Sequence, residues 1–102
     1  MTDIAANVRA IDTLKGEILS ELAKLYTTLS SYENESAVYE EVETEIATIT
    51  AMSYILAKRL GLSYESVDER ISQLLEMAVE NGHEIERVFG DMSELAAHVK
   101  GR

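Results

Sequence analysis

Apolar residues recur along this chain at steps of three and four, the spacing that a helix buried on one face requires. The first run is Ile4, Val8, Ile11, Leu14, Ile18, Leu22, Leu25 and Leu29. It predicts an amphipathic helix from about Asp3 to Ser30, with Thr2 or Asp3 as N-cap. The polar stretch SSYENES then reads as a loop. A second run, Val38, Val42, Ile46, Ile49, Met52, Leu56 and Leu60, ends at Gly61, where a left-handed cap is wanted. Its EIATIT segment is rich in β-branched residues, but the length of the period and the KRLG ending favour helix over strand. A third helix starts at Ser63 or at Ser66, the latter forming a capping-box pair with Glu69. It carries Val67, Ile71, Leu74, Leu75, Ala78 and Val79 and stops at Asn81-Gly82. HEIERVFG adds a short helical turn, and a last helix is capped by Asp91 with Glu94. The fold class is all-α: two long antiparallel helices, a medium third and a short C-terminal helix, read as one domain over residues 1–102. Shorter helices cover the stripe of such a hairpin only in part. Assembly of two or more copies into a four-helix-type bundle, as a homodimer or higher homo-oligomer, is expected.

Composition narrows the partners. With 19 acidic and 9 basic residues the 102-residue chain carries a formal charge of −10. That balance argues against nucleic acid and against an anionic membrane, both of which select basic patches. Absence of cysteine excludes a disulfide framework, a thiolate nucleophile and a Cys-ligated zinc. The start MTDIAANVRA lacks the basic segment and apolar run of a signal peptide. No stretch approaches the ~18 apolar residues of a membrane span, so a cytoplasmic location is expected.

Most of the acids suit an ordinary solvated helix surface. The informative ones fall where an apolar residue is due. Glu45 lies inside the stripe of the second helix, among Val38, Val42, Ile49, Met52 and Leu56, with Glu41 and Thr48 on the same ridge. A carboxylate on a buried face is costly unless paired or bound to a metal. Arg59 or Arg9 is available as a salt-bridge partner, and metal ligation is the competing reading. Glu21 borders the stripe of the first helix, with Glu17 one turn earlier and farther out. If the long helices pack antiparallel, Glu17 and Glu21 face Glu41 and Glu45. Such a set suits Mg²⁺ or Mn²⁺, hard cations that take oxygen ligands and bridge to phosphates. The bland alternative for Glu17, Glu21 and Glu41 is plain surface. Lys58-Arg59 is favourable at a helix C-terminus and is also the candidate substrate-phosphate contact. His83 and His98 read as surface or capping groups, and no phosphate loop, G-x-S-x-G or H-E-x-x-H occurs.

Together these residues resemble the MazG-like branch of the all-α NTP pyrophosphohydrolases. That family carries Glu-Glu-x-x-Glu on one helix and Glu-x-x-Asp on the next, followed by an apolar run ending in Leu-Gly. EIATITAMSYILAKRLGL has this layout, with Glu45 at the Glu position and Gly61 at the glycine. GEILSELAKLY supplies Glu17 and Glu21 for the outer two glutamates, and HEIERVFGDMSEL looks like the tail of short MazG-like bacterial proteins. The resemblance runs from about Ile4 to Leu95. It implies Mg²⁺-dependent (or Mn²⁺-dependent) hydrolysis of a nucleoside triphosphate to monophosphate and pyrophosphate. In that scheme Glu17, Glu21 and Glu45 hold the metal and Glu41 is a substitute ligand. Ile18 stands where the family has the middle glutamate, Thr48 where it has Asp, and its Lys- and Asn-containing substrate segment has no clear match. The alternative is therefore a catalytically degenerate helical dimer, a nucleotide-binding or protein-interaction module. A purely structural helical oligomer with Glu45 paired to arginine stands behind both.

Overall fold

The computed structural model describes residues 3–30 and 36–101. The polar segment expected to form the first loop falls mostly on residues 31–35, outside the described residues, as does Thr2. All regular structure among the described residues is helical: α1 (Ile4–Ser30), α2 (Ser36–Arg59), α3 (Tyr64–Glu80), α4 (Glu84–Phe89) and α5 (Asp91–Lys100). No helix among them is long and apolar enough to cross a membrane. The chain divides into two units, residues 1–62 and 63–102.

In the first unit α1 packs on α2. Asp3 starts α1, its Oδ1 accepting the Ala6 amide at 3.1 Å. Two side-chain bonds fix the direction of α2. Near one end Asn7 Nδ2 donates to the Arg59 carbonyl at 2.9 Å, and near the other Thr28 Oγ1 donates to Glu45 Oε2 at 3.0 Å. Low numbers meet high ones, so the hairpin is antiparallel.

The buried and half-buried positions are narrower than the expected stripe. On α1 they include Asn7, Ile11, Leu14, Ile18, Glu21, Leu25 and Thr28, and on α2 Val38, Val42, Glu45, Ile49, Met52, Leu56 and Arg59. Each row alternates steps of four and three, as in the seam of a coiled coil. Ile4, Val8, Leu22 and Leu29 on α1, Ile46 on α2 and Leu60 just past its end were expected on the buried face and are exposed. One partner helix covers only a strip about one ridge wide, and these residues flank it. Gly61 ends the hairpin at φ +96°, with the Leu62 amide bonded back to the Ala57 carbonyl at 2.9 Å.

In the second unit α5 packs on α3, and α4 touches both. Ser63 caps α3 by accepting the Ser66 amide at 3.0 Å. The capping box at Ser66 and Glu69 is thus corrected: Ser66 is the capped residue rather than the cap. Leu74 and Val79, expected in the buried row of α3, are exposed. His83 caps α4, its Nδ1 accepting the Ile85 amide at 3.1 Å. Gly90, at φ +73°, both ends α4 and begins α5. Asp91 is therefore the first residue of α5 and not its cap, a second correction. Glu86 of α4 reaches across instead: its Oε1 accepts the Ser93 amide at 3.0 Å, and its Oε2 accepts the Ser93 hydroxyl. These bonds hold its carboxyl below the usual range, the Ser93 hydroxyl having the largest effect.

Candidate functional site on the long hairpin

Glu45 occupies a seam position of α2, and only 3% of its surface is exposed. Burial of an ionised carboxylate demands donors for both oxygens. Thr28, at the matching seam position of α1, serves Oε2. Its hydroxyl also lies 2.9 Å from the Lys24 carbonyl and has one hydrogen to share between the two acceptors. Oε1 is buried and has no hydrogen-bond partner among the described residues. None of the ion pairs among the described residues involves Glu45, so the expected alternative of a salt bridge to Arg59 or Arg9 is not formed. Arg59 meets Asn7 through its carbonyl instead.

Two open grooves flank this acid. One, of about 370 Å³, is lined by Glu21, Lys24, Glu40, Glu41, Thr44 and Glu45. The other, of about 430 Å³, is lined by Ser20, Ala23, Lys24, Thr27, Thr28, Glu41 and Glu45. Antiparallel packing thus brings Glu21 of α1 to the same groove as Glu41 and Glu45 of α2. Glu21 is a seam residue whose side chain is 17% exposed, and its Oε1 lies 3.5 Å from Lys24 Nζ. Glu41 is exposed on the rim. Glu17 is exposed too and does not line either groove. Lys58 and Arg59 lie thirteen and fourteen residues beyond Glu45, about 20 Å along α2 at 1.5 Å per residue. That is too far to meet a phosphate held at Glu45 within one hairpin. Thr48 turns its hydroxyl onto its own helix, donating to the Thr44 carbonyl at 2.7 Å.

The sequence did not single out Glu40, Lys24 or Thr28, which also line these grooves. For Thr28 the signal was there: Glu21, Leu25 and Thr28 continue the four-three alternation of Ile11, Leu14 and Ile18.

The donor set is of hard oxygens, and one is buried without a donor, which suits a divalent cation such as Mg²⁺. Among the described residues no three carboxylates or histidines stand close enough to hold a metal ion by themselves. One hairpin by itself thus offers at most two such ligands at one point. Mg²⁺ typically uses only one or two protein carboxylates, taking its other ligands from water and substrate phosphates.

The sequence pattern of the MazG-like family matches residues 4–92, nearly the whole chain, so the chain belongs to that family. No curated protein matches it, and no solved structure does.

Proposed function

We propose that this member of the MazG-like family hydrolyses a nucleoside triphosphate to the monophosphate and pyrophosphate with Mg²⁺ or Mn²⁺, at the Glu45 groove. The observation that carries this reading is Glu45 Oε1, a buried carboxylate oxygen without a donor beside an acidic groove. Perturbed or unsatisfied buried acids concentrate at functional sites. In the reaction a water oxygen bonds to the α-phosphorus, and the bond from that phosphorus to the bridging oxygen breaks. Pyrophosphate departs with the bridging oxygen and takes up one of the water's two protons, and the other passes to solvent. A divalent cation bound here would supply charge neutralisation of the triphosphate. Glu45 presents Oε1 while Thr28 fixes Oε2, and Glu21 and Glu41 add negative charge from the two helices. Glu17, one turn from Glu21, exposed and outside both grooves, would reach such a cation only through its long side chain.

Assembly belongs to the same reading. Leu19, Leu22, Tyr26 and Leu29 of α1 and Ile46 of α2 are exposed on the hairpin. Apolar surface of this kind supports pairing with a second copy into a four-helix bundle.

A second reading, a degenerate module that binds nucleotide or protein without turnover, is favoured by Thr48. Its hydroxyl is committed to its own helix where the family carries an aspartate. Incubation with standard and modified nucleoside triphosphates plus Mg²⁺ or Mn²⁺ separates the two. We expect pyrophosphate release that falls to background in Glu45→Ala. Release from the native chain no greater than from that variant would overturn the hydrolase and leave the module.

A further inference from the structure

We infer that Lys24 is a tethered counter-ion of the Glu45 groove: it competes with a divalent cation for the carboxylates and turns from Glu21 to the phosphate of an incoming anionic ligand. The inference rests on the groove taking a cation, but not on hydrolysis. Lys24 lines both grooves beside Glu45 and is the only basic residue among the described residues of either lining. In the smaller one it faces four carboxylates, Glu21, Glu40, Glu41 and Glu45. Its Nζ stands 3.5 Å from Glu21 Oε1. The other ion pair on α1, Lys15 with Asp12, is an ordinary surface pair with side chains 64% and 70% exposed. Lys24 is similarly open, at 63%, but its partner Glu21 is tucked into the seam. One end of the pair is thus anchored and the other is free to swing.

The second observation that this groove takes a ligand is Glu45 itself, buried and with Oε1 unpartnered. A cation arriving there meets the positive charge of Lys24 as well as the negative charge of the acids. The lysine end of the pair is open to water at 63% exposure, which screens the attraction and lets it release readily. A lysine ammonium is a compact point charge on a flexible stem, suited to following a phosphate. Removing that charge has opposite consequences for the two classes of ligand. A bare divalent cation binds more tightly, and a metal–polyphosphate, with its negative charge, binds more weakly. For one unit charge at groove distance in largely solvated surroundings, each effect is about three- to tenfold.

The test uses calorimetry on the full chain, Lys24→Gln and Lys24→Arg, first with Mn²⁺ alone and then with magnesium pyrophosphate. Lys24 is exposed, so both variants keep the fold, which circular dichroism checks. Lys24→Gln should tighten Mn²⁺ and weaken magnesium pyrophosphate, each by about three- to tenfold, with Lys24→Arg within about twofold of native on both. A merely structural lysine would shift both ligands the same way or neither. Unchanged or weakened Mn²⁺ binding in Lys24→Gln overturns the inference, as does a native chain that binds no Mn²⁺. A native chain that releases no pyrophosphate from any triphosphate, yet shows the opposite shifts, sinks the hydrolase and upholds the counter-ion. An active hydrolase whose Lys24→Gln variant shows neither shift does the reverse.

Discussion

Thr28 holds a buried acid with a neutral hydroxyl, so the charge of Glu45 is left for something else to balance. Replacing Thr28 by valine keeps the shape and removes the donor to Oε2, leaving both carboxylate oxygens without it. We expect Thr28→Val to lose about 1–3 kcal/mol of stability in urea unfolding, with Thr28→Ser close to native. Equal stability of Thr28→Val and native would mean that the bond contributes nothing. Glu45 was legible in the sequence because an acid inside an apolar stripe breaks a pattern. Its partner was not, because threonine is at home on either side of such a stripe and announces no charge. Glu21 was read as a border residue and is a seam residue. The stripe was taken as a wide apolar band, while the helices meet along a strip that admits Asn7, Glu21 and Thr28.

At the scale of elements, five helices and their ends followed from spacing and from Gly61, Gly82 and Gly90, all at positive φ. Two caps did not. Ser63 and Ser66 are equally good cap residues by type, and the backbone decides between them, with Ser63 extended at φ −92° and ψ 157°. At α5 the cap comes from the preceding helix, and local sequence rules do not look across a corner. Gly90 is a one-residue joint, and Glu86 closes it onto Ser93. The folded-state carboxyl of Glu86 is held low, so its contribution is complete above the ordinary glutamate value of 4.5 and is lost as pH falls through the lowered one. Hydrogen exchange at the Ser93 amide should therefore accelerate on acidification below about pH 4.5, beyond the intrinsic trend. Glu86→Gln should flatten that dependence, and an identical profile in the variant would remove Glu86 from the joint.

For the whole molecule, the fold class was legible because helical periodicity is a long-range signal, whereas the quality of burial was not. Leu14, Ala57 and Val99 make up the buried apolar set among the described residues, and each keeps some exposure. Tyr26 is 76% exposed and Leu19 69%, on the helix whose opposite face makes the seam. Sedimentation at micromolar concentration should show a species of at least twice 11.3 kDa, and Tyr26→Glu should shift it toward the monomer. A native chain that sediments as an 11.3 kDa monomer would refute the bundle. The unpartnered oxygen of Glu45 has one more consequence, for how long the protein survives. Whatever satisfies that oxygen binds the folded chain and not the unfolded one, and a hundredfold excess over its Kd adds about 2.7 kcal/mol. The population open to proteases then shrinks by about a hundredfold when opening is in equilibrium. Under the proposed cation site, persistence of the chain would follow the supply of that cation.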